Sequence, residues 1–242
     1  MPPQYKLSVV IPTWENDFQH ALDLLEKFTD TPEVQWIISS YNPPENWQEL
    51  VQKIALTPEI VICERAGRGI QLNEGAKYAR GQLLAFNHAD TLLEPEHLAS
   101  LLQVDTSLYT AGSFHRILLD KHQWLCSLDP AIRWYNQHFG ILFGDQTVFI
   151  TKQEFNRLGG FKPIKLMEDV EFSSHIRKEC EIILITPPIL SSGRRLNEMG
   201  IFRVTSLNLL LLLLFRCGVC TTRLYELYYS YRRNKQEHNV SH

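Results

Sequence analysis

Leu7-Ser8-Val9-Val10-Ile11-Pro12-Thr13-Trp14-Glu15-Asn16 is the stretch on which the reading of the fold turns. Its short β-branched run, closed by Pro12, predicts a buried strand over Leu7–Ile11 whose carboxyl end opens into a loop. Phe18, Ala21, Leu22, Leu25 and Phe28 then recur at helical spacing. The alternation continues with a strand over Val34–Ser39, a helical stripe at Trp47, Leu50, Val51 and Ile54, and a strand over Ile60–Cys63. A helix over Gly69–Arg80, a strand over Gln82–Asn87 and a helix over Glu94–Gln103 follow. Strands separated by helices need crossover connections, which predicts an α/β fold with a mostly parallel central sheet flanked by helices. Ligands then bind at the carboxyl ends of the strands.

Beyond residue 105 the alternation fades: a strand over Thr110–Leu119, an aromatic helix over Trp124–Phe139 and a strand over Gly144–Thr151 are expected, and Arg232–His242 reads as a solvated polar tail. With 242 residues, 44% of them hydrophobic, the chain has enough apolar side chain for one substantial core. A formal charge of −3 provides no general attraction for polyanions, so no nucleic-acid partner is expected. Five irregularly spaced cysteines suit a reducing compartment, and the single CxxC, Cys217 and Cys220, lacks the further ligands of a zinc site. No secretory signal precedes the first strand, so a cytoplasmic start is expected.

Four polar clusters fall where this architecture places a site. Pro12-Thr13-Trp14-Glu15-Asn16 follows the first strand, and could equally be a turn capping the next helix. Arg65-Ala66-Gly67-Arg68-Gly69, with Gln71, Asn73 and Gly75 on the helix behind it, combines close backbone approach, a helix N-terminus and arginines suited to phosphate oxygens. It lacks both the GxGxxG and the P-loop patterns, and its structural alternative is a glycine-rich turn with solvated arginines. His88-Ala89-Asp90-Thr91 follows an apolar strand, where a carboxylate can hold a divalent cation against a diphosphate. Met167-Glu168-Asp169-Val170-Glu171 heads a helix; its acids either complement the helix dipole or supply a general base and an orienting partner.

Taken in order, these blocks resemble family-2 inverting glycosyltransferases, and within them the subgroup known as radical-SAM/selenodomain-associated transferase 2. The resemblance runs from Leu7 to about Tyr228 and rests on Val9-Val10-Ile11-Pro12-Thr13, Gly67-Arg68-Gly69-Ile70-Gln71-Leu72-Asn73-Glu74-Gly75-Ala76, His88-Ala89-Asp90-Thr91, Gly144-Asp145-Gln146, Met167-Glu168-Asp169-Val170-Glu171 and Ser192-Gly193-Arg194-Arg195. It implies a GT-A fold in a single domain over residues 1–231, with a nucleotide-binding half (1–105), an acceptor half (106–200) and C-terminal helices (201–231). It also implies a nucleotide-sugar donor, an unidentified acceptor and a divalent metal, Mn²⁺ or Mg²⁺. Asp90 with His88 would hold the metal, and Asp169, or else Glu168, would be the base. Pro12, Thr13, Glu15, Ser39, Arg68, Gln71, Asn73, Asp90, Arg194 and Arg195 would face the donor, and Asp145 and Gln146 the acceptor. The family's base-reading Asp after the second strand is replaced by Ser39, followed by Ser40-Tyr41-Asn42. A sugar-phosphate nucleotidyltransferase and a non-catalytic nucleotide- or glycan-binding protein are the alternatives; the glycine-rich signature expected of the first is absent at Pro12-Thr13-Trp14-Glu15.

Leu207–Val219, with its run of six leucines, is too short to span a bilayer. It reads as a core or homodimer-interface helix, or as a peripheral contact at the inner face of the cell membrane, where neighbouring arginines and tyrosines would anchor it and a lipid-linked acceptor would be at hand.

Overall fold

The computed structural model describes residues 5–118, 134, 140–142, 144–191 and 201–239. The expected helix over Trp124–Phe139, Trp134 apart, and the Ser192-Gly193-Arg194-Arg195 block, with the donor residues Arg194 and Arg195, lie outside them.

One seven-stranded sheet runs through both halves in the order β3-β2-β1-β4-β6-β5-β7. Strands β1 (Leu7–Trp14), β2 (Val34–Tyr41), β3 (Glu59–Ile62) and β4 (Leu83–Phe86) are mutually parallel, and helices α1 (Glu15–Leu25), α2 (Trp47–Val51) and α3 (Arg68–Tyr78) make the crossovers. Helix α4 (Pro95–Leu102) leads to β5 (Ala111–Leu118). Then come β6 (Val148–Thr151), α5 (Lys152–Leu158), α6 (Glu168–Glu179), β7 (Ile182–Ser191), α7 (Ile201–Arg216) and α8 (Thr221–Asn239). Strand β6 is antiparallel to β4 and β5, whereas β5 and β7 are parallel.

Alternation along the strands builds two apolar layers. Leu7, Val9 and Ile11 of β1 join Phe18, Ala21, Leu22 and Leu25 of α1 on one face. Val10 joins Leu72 and Ala76 of α3 and Phe86, Phe155, Phe161 and Phe172 on the other. Helix α3 lies so close that a Cβ on Gly75 would come 2.4 Å from Val10 Cγ1.

Several boundaries depart from the sequence expectation, each for a local reason. Strand β1 continues three residues past Ile11, paired with β2 as far as Trp14↔Tyr41. Pro12 is tolerated because it shares the hydrogen-bonding side of Val10, which faces β4, and β4 has ended by then: Asn87 N donates to Val10 O at 3.0 Å. The strand expected from Gly144 begins only at Val148, because Gly144–Gln146 coils into a 3₁₀ turn. Strand β7 was hidden by Pro187-Pro188. The prolines sit on an edge strand where the register with β5 slips between Phe114 and Arg116, a position that asks for no ladder donor. Helix α8 reaches Asn239, well into the stretch expected as a polar tail.

Replacing a mid-helix glycine by alanine ordinarily gains about 0.5–1 kcal/mol. At Gly75 the Val10 collision, in a side chain with no exposure, decides the sign instead. Gly75→Ala is predicted to destabilise by about 1–3 kcal/mol in chemical denaturation. Adding Val10→Ala should cost less than it does in the wild type; strict additivity of the two would refute the packing account.

Candidate functional site

The start of α3, the carboxyl end of β4, the turn before β6 and the head of α6 enclose one crevice. Its innermost part is lined by Arg68, Leu72, Phe86, His88, Gly144, Phe161, Glu168, Asp169 and Phe172, among others. The cavity there holds about 10 Å³, room for roughly one water, so any larger ligand would have to sit above it.

Its floor is aromatic. Phe86, Phe155, Phe161 and Phe172 form a cluster in which Phe161 and Phe172 lie 4.0 Å apart, centroid to centroid. Above it, Met167 precedes α6 in the left-handed region (φ 69°), a costly conformation for a long side chain. Glu168 is 4% exposed and accepts a long contact, 3.4 Å, from Arg68 Nη1. Asp169 is held at both oxygens by backbone amides, Oδ2 by Gly144 N at 3.2 Å and Oδ1 by Val170 N at 2.8 Å. Burial against this floor, with Asp169 alongside, raises the Glu168 carboxyl to about 7, although Arg68 pulls it down. Burial also raises Asp169, opposed by Arg68 and by its two amides. Arg68 in turn is held protonated by Glu168, Asp169 and Asp90 against its own desolvation. The third acid of the block, Glu171, pairs with Lys162 and takes no part in the crevice.

Strand β6 explains how the second half reaches this point. Running antiparallel to β4, with Phe86↔Val148, it sets the turn before it beside the residues that follow β4. Thr147, at φ 50°, donates from Oγ1 to Asn87 Oδ1 at 2.5 Å, and Asn87 Nδ2 donates to His88 O at 2.8 Å. The His88 ring fills the space over Gly144, where a Cβ would come 2.3 Å from Nε2. Asp90 is exposed at the lip, and the charge of Asp145 reaches Asp169 from the turn, while Gln146 is buried. Asn87 and Thr147 shape this turn, and nothing in their sequence context distinguishes them from ordinary strand-end residues.

Other expected donor residues have structural positions. Gln71 is wholly buried, with Nε2 donating to Thr13 O at 2.5 Å and Ser39 O at 3.2 Å, and Oε1 accepting from Trp14 Nε1 at 2.7 Å. It clamps the ends of β1 and β2 and cannot also meet a ligand. Asn73 likewise forms a two-point clamp on the Phe161 backbone, at 2.7 and 2.9 Å. Pro12, Thr13, Ser39 and Ser40 are buried, and Ser39 packs under Gly75, so neither serine presents its hydroxyl to the crevice. Glu15 and Trp14 are exposed at the carboxyl end of β1, where Trp14 meets Tyr41 of β2 edge to face at 6.4 Å.

Among the described residues no three His, Cys, Asp or Glu side chains gather into a ready-made metal cage. The exposed Asp90 carboxylate is a hard oxygen ligand, and it fits a divalent cation whose remaining ligands come from a diphosphate and water.

The same architecture occurs in solved structures. Mannosyltransferase PcManGT from Pyrobaculum calidifontis, in complex with GDP-Man and Mn²⁺, superimposes with a TM-score of 0.57 at 18% identity, covering 78% of this chain and 58% of that one. S. aureus TarS 1–349 gives 0.59 at 15% identity, covering 81% and 63%, and its UDP-GlcNAc complex gives 0.57 at 15%, covering 77% and 58%. The chain therefore spans about three-fifths of the length of these neighbours, and the likeness establishes the GT-A fold. The search of curated proteins returned no match. The model of the family described as Glycosyl transferase family 2 matches residues 8–156, more than half of the chain, and the chain belongs to that family.

Proposed function

We propose that the protein is an inverting glycosyltransferase that moves a sugar from a nucleotide-sugar to an acceptor hydroxyl, with Asp169 as the base. The observation that carries this reading is the Asp169 carboxylate, fixed by two backbone amides in a crevice that also gathers Glu168, Arg68 and His88. The amides leave each oxygen a lone pair for a proton while opposing rotation of the group.

The acceptor oxygen attacks the anomeric carbon, its proton passes to Asp169, and the bond to the diphosphate breaks on the opposite face. Both carboxyls are raised by burial, and two carboxylates so close ionise together only at a cost; a proton held on Glu168 would leave Asp169 as the acceptor. Arg68, at the N-terminus of α3, faces the departing phosphates as well as Glu168. Asp90, with His88 behind it, would hold Mn²⁺ or Mg²⁺. That ion would supply charge stabilisation for the leaving diphosphate. The nucleotide base rests on the Trp14–Tyr41 pair, with the Trp14 indole fixed by Gln71. Asp145, beside the base, meets acceptor hydroxyls. The six sequence blocks support the radical-SAM/selenodomain-associated transferase 2 subgroup.

The Glu168 pair sets a pH dependence. Because its carboxyl is raised from 4.5 to about 7, the stability it contributes is fully present below pH 4.5 and lost as the pH rises through about 7. Glu168→Gln should therefore show a smaller fall in melting temperature across that window than the wild type. Parallel melting curves would remove the linkage.

Asp169→Asn keeps the size of the side chain and loses the proton acceptor. Turnover should fall roughly 10²–10⁴-fold while nucleoside diphosphate affinity is retained. Near-normal turnover with only a slightly lower melting temperature would reduce the acids to helix-dipole partners.

A further inference from the structure

We infer that the α7–α8 hairpin docks on an anionic lipid surface. Residues 201–239 contain six arginines and lysines, Arg203, Arg216, Arg223, Arg232, Arg233 and Lys235, against two acids, Glu226 and Glu237, a formal charge of +4. The whole chain carries −3, so the remaining residues carry −7. Such segregation within one chain points to a partner of negative charge for the hairpin alone.

The hairpin also exposes apolar surface. On α7, Leu209, Leu210 and Leu213 are 55%, 48% and 53% exposed. Their spacing places them on one helix face, with exposed Arg216 a turn further on, while Leu211 is 1% exposed and turns inward. On α8, Leu227 and Tyr229 are exposed, as is Arg223 in its first turn. These leucines therefore do not serve the core, which removes the buried-helix reading of this segment for that face. Among the described residues no helix is long and apolar enough to cross a membrane. An apolar stripe bordered by cations and tyrosines suits a helix lying in the headgroup region.

A second copy of the chain is the competing occupant. Two hairpins meeting through the same face would bring together two segments of +4, and that repulsion disfavours the symmetric pairing. An anionic bilayer has no such conflict, and each arginine close to its surface strengthens binding roughly fivefold.

Helix α8 is tied to the body of the protein. Leu224 is 1% exposed, Lys165 Nζ lies 5.8 Å from the Tyr225 ring centroid, and Tyr229 is among the groups acting on Arg68. A docked hairpin would thus set the crevice beside the lipid. The docking stands by itself; only its corollary, that the acceptor is lipid-linked, rests on the transferase reading.

The test is co-sedimentation of the full chain, without donor or metal, with vesicles of phosphatidylcholine alone or phosphatidylcholine plus phosphatidylglycerol. Binding should require the anionic lipid and weaken roughly tenfold or more at high salt, as the screening length shortens. Arg216→Glu/Arg223→Glu and, separately, Leu209→Ser/Leu210→Ser/Leu213→Ser should each abolish it at an unchanged melting temperature. Equal binding to neutral vesicles, no binding to either, or a dimer in light scattering that the leucine substitutions dissolve would overturn the inference. None of these outcomes depends on whether the protein transfers sugar.

Discussion

Two adjacent carboxylates at the head of α6, Glu168 and Asp169, share one cation, Arg68, over an apolar floor, and much of the second half of the molecule serves to keep them there. Burying acids is costly unless they are paired or hydrogen-bonded. Each compensation comes from a different element: the guanidinium from α3, one amide from the turn before β6, another from α6 itself. Asn73 holds the loop carrying Phe161 against α3, so the floor and the cation are fixed to one another. Loss of any one would leave a buried charge with fewer partners, which is why the pair is a constraint on the fold as much as a feature of the site.

The reversal of chain direction at β6 is the second determinant. Parallel strands deliver only the loops after β1, β2, β3 and β4 to the ligand-binding edge. The antiparallel β6 adds the turn before it, and Gly144 then meets His88 while its amide meets Asp169. A side chain at Gly144 would displace the imidazole. The first half of the sheet thus provides one wall of the crevice, and the reversed strand brings it against the acidic pair.

The repeated strand–helix alternation was legible in the sequence because β1, β2 and β4 are buried on both faces and read as continuous apolar runs. The clustering of Arg68, His88, Glu168 and Asp169 was legible from the strand ends and the family resemblance. Direction and accessibility were not. Gly144–Thr151 reads equally well as one strand, since nothing local marks where the 3₁₀ turn yields to β6. Gln71 and Asn73 carry the amides a ligand site would use, yet both are consumed by backbone groups far away in sequence. Ser39 occupies the position of a base-reading acid but turns toward Gly75, and the aromatic Trp14 and Tyr41 pair at the carboxyl ends of β1 and β2. Periodicity reports which residues are buried, whereas these differences depend on which distant backbone each side chain meets.

The roles proposed for Asp169, Glu168 and Arg68 require the crevice to be a place where the bond between a sugar and a nucleoside diphosphate is broken. The most direct measurement is product analysis after incubating the protein with Mn²⁺ and a panel of nucleotide-sugars together with candidate acceptors. Release of the nucleoside diphosphate, with the sugar transferred in inverted anomeric configuration, is the predicted result. Formation of pyrophosphate, or nucleotide binding with no cleavage of any member of the panel, would contradict it.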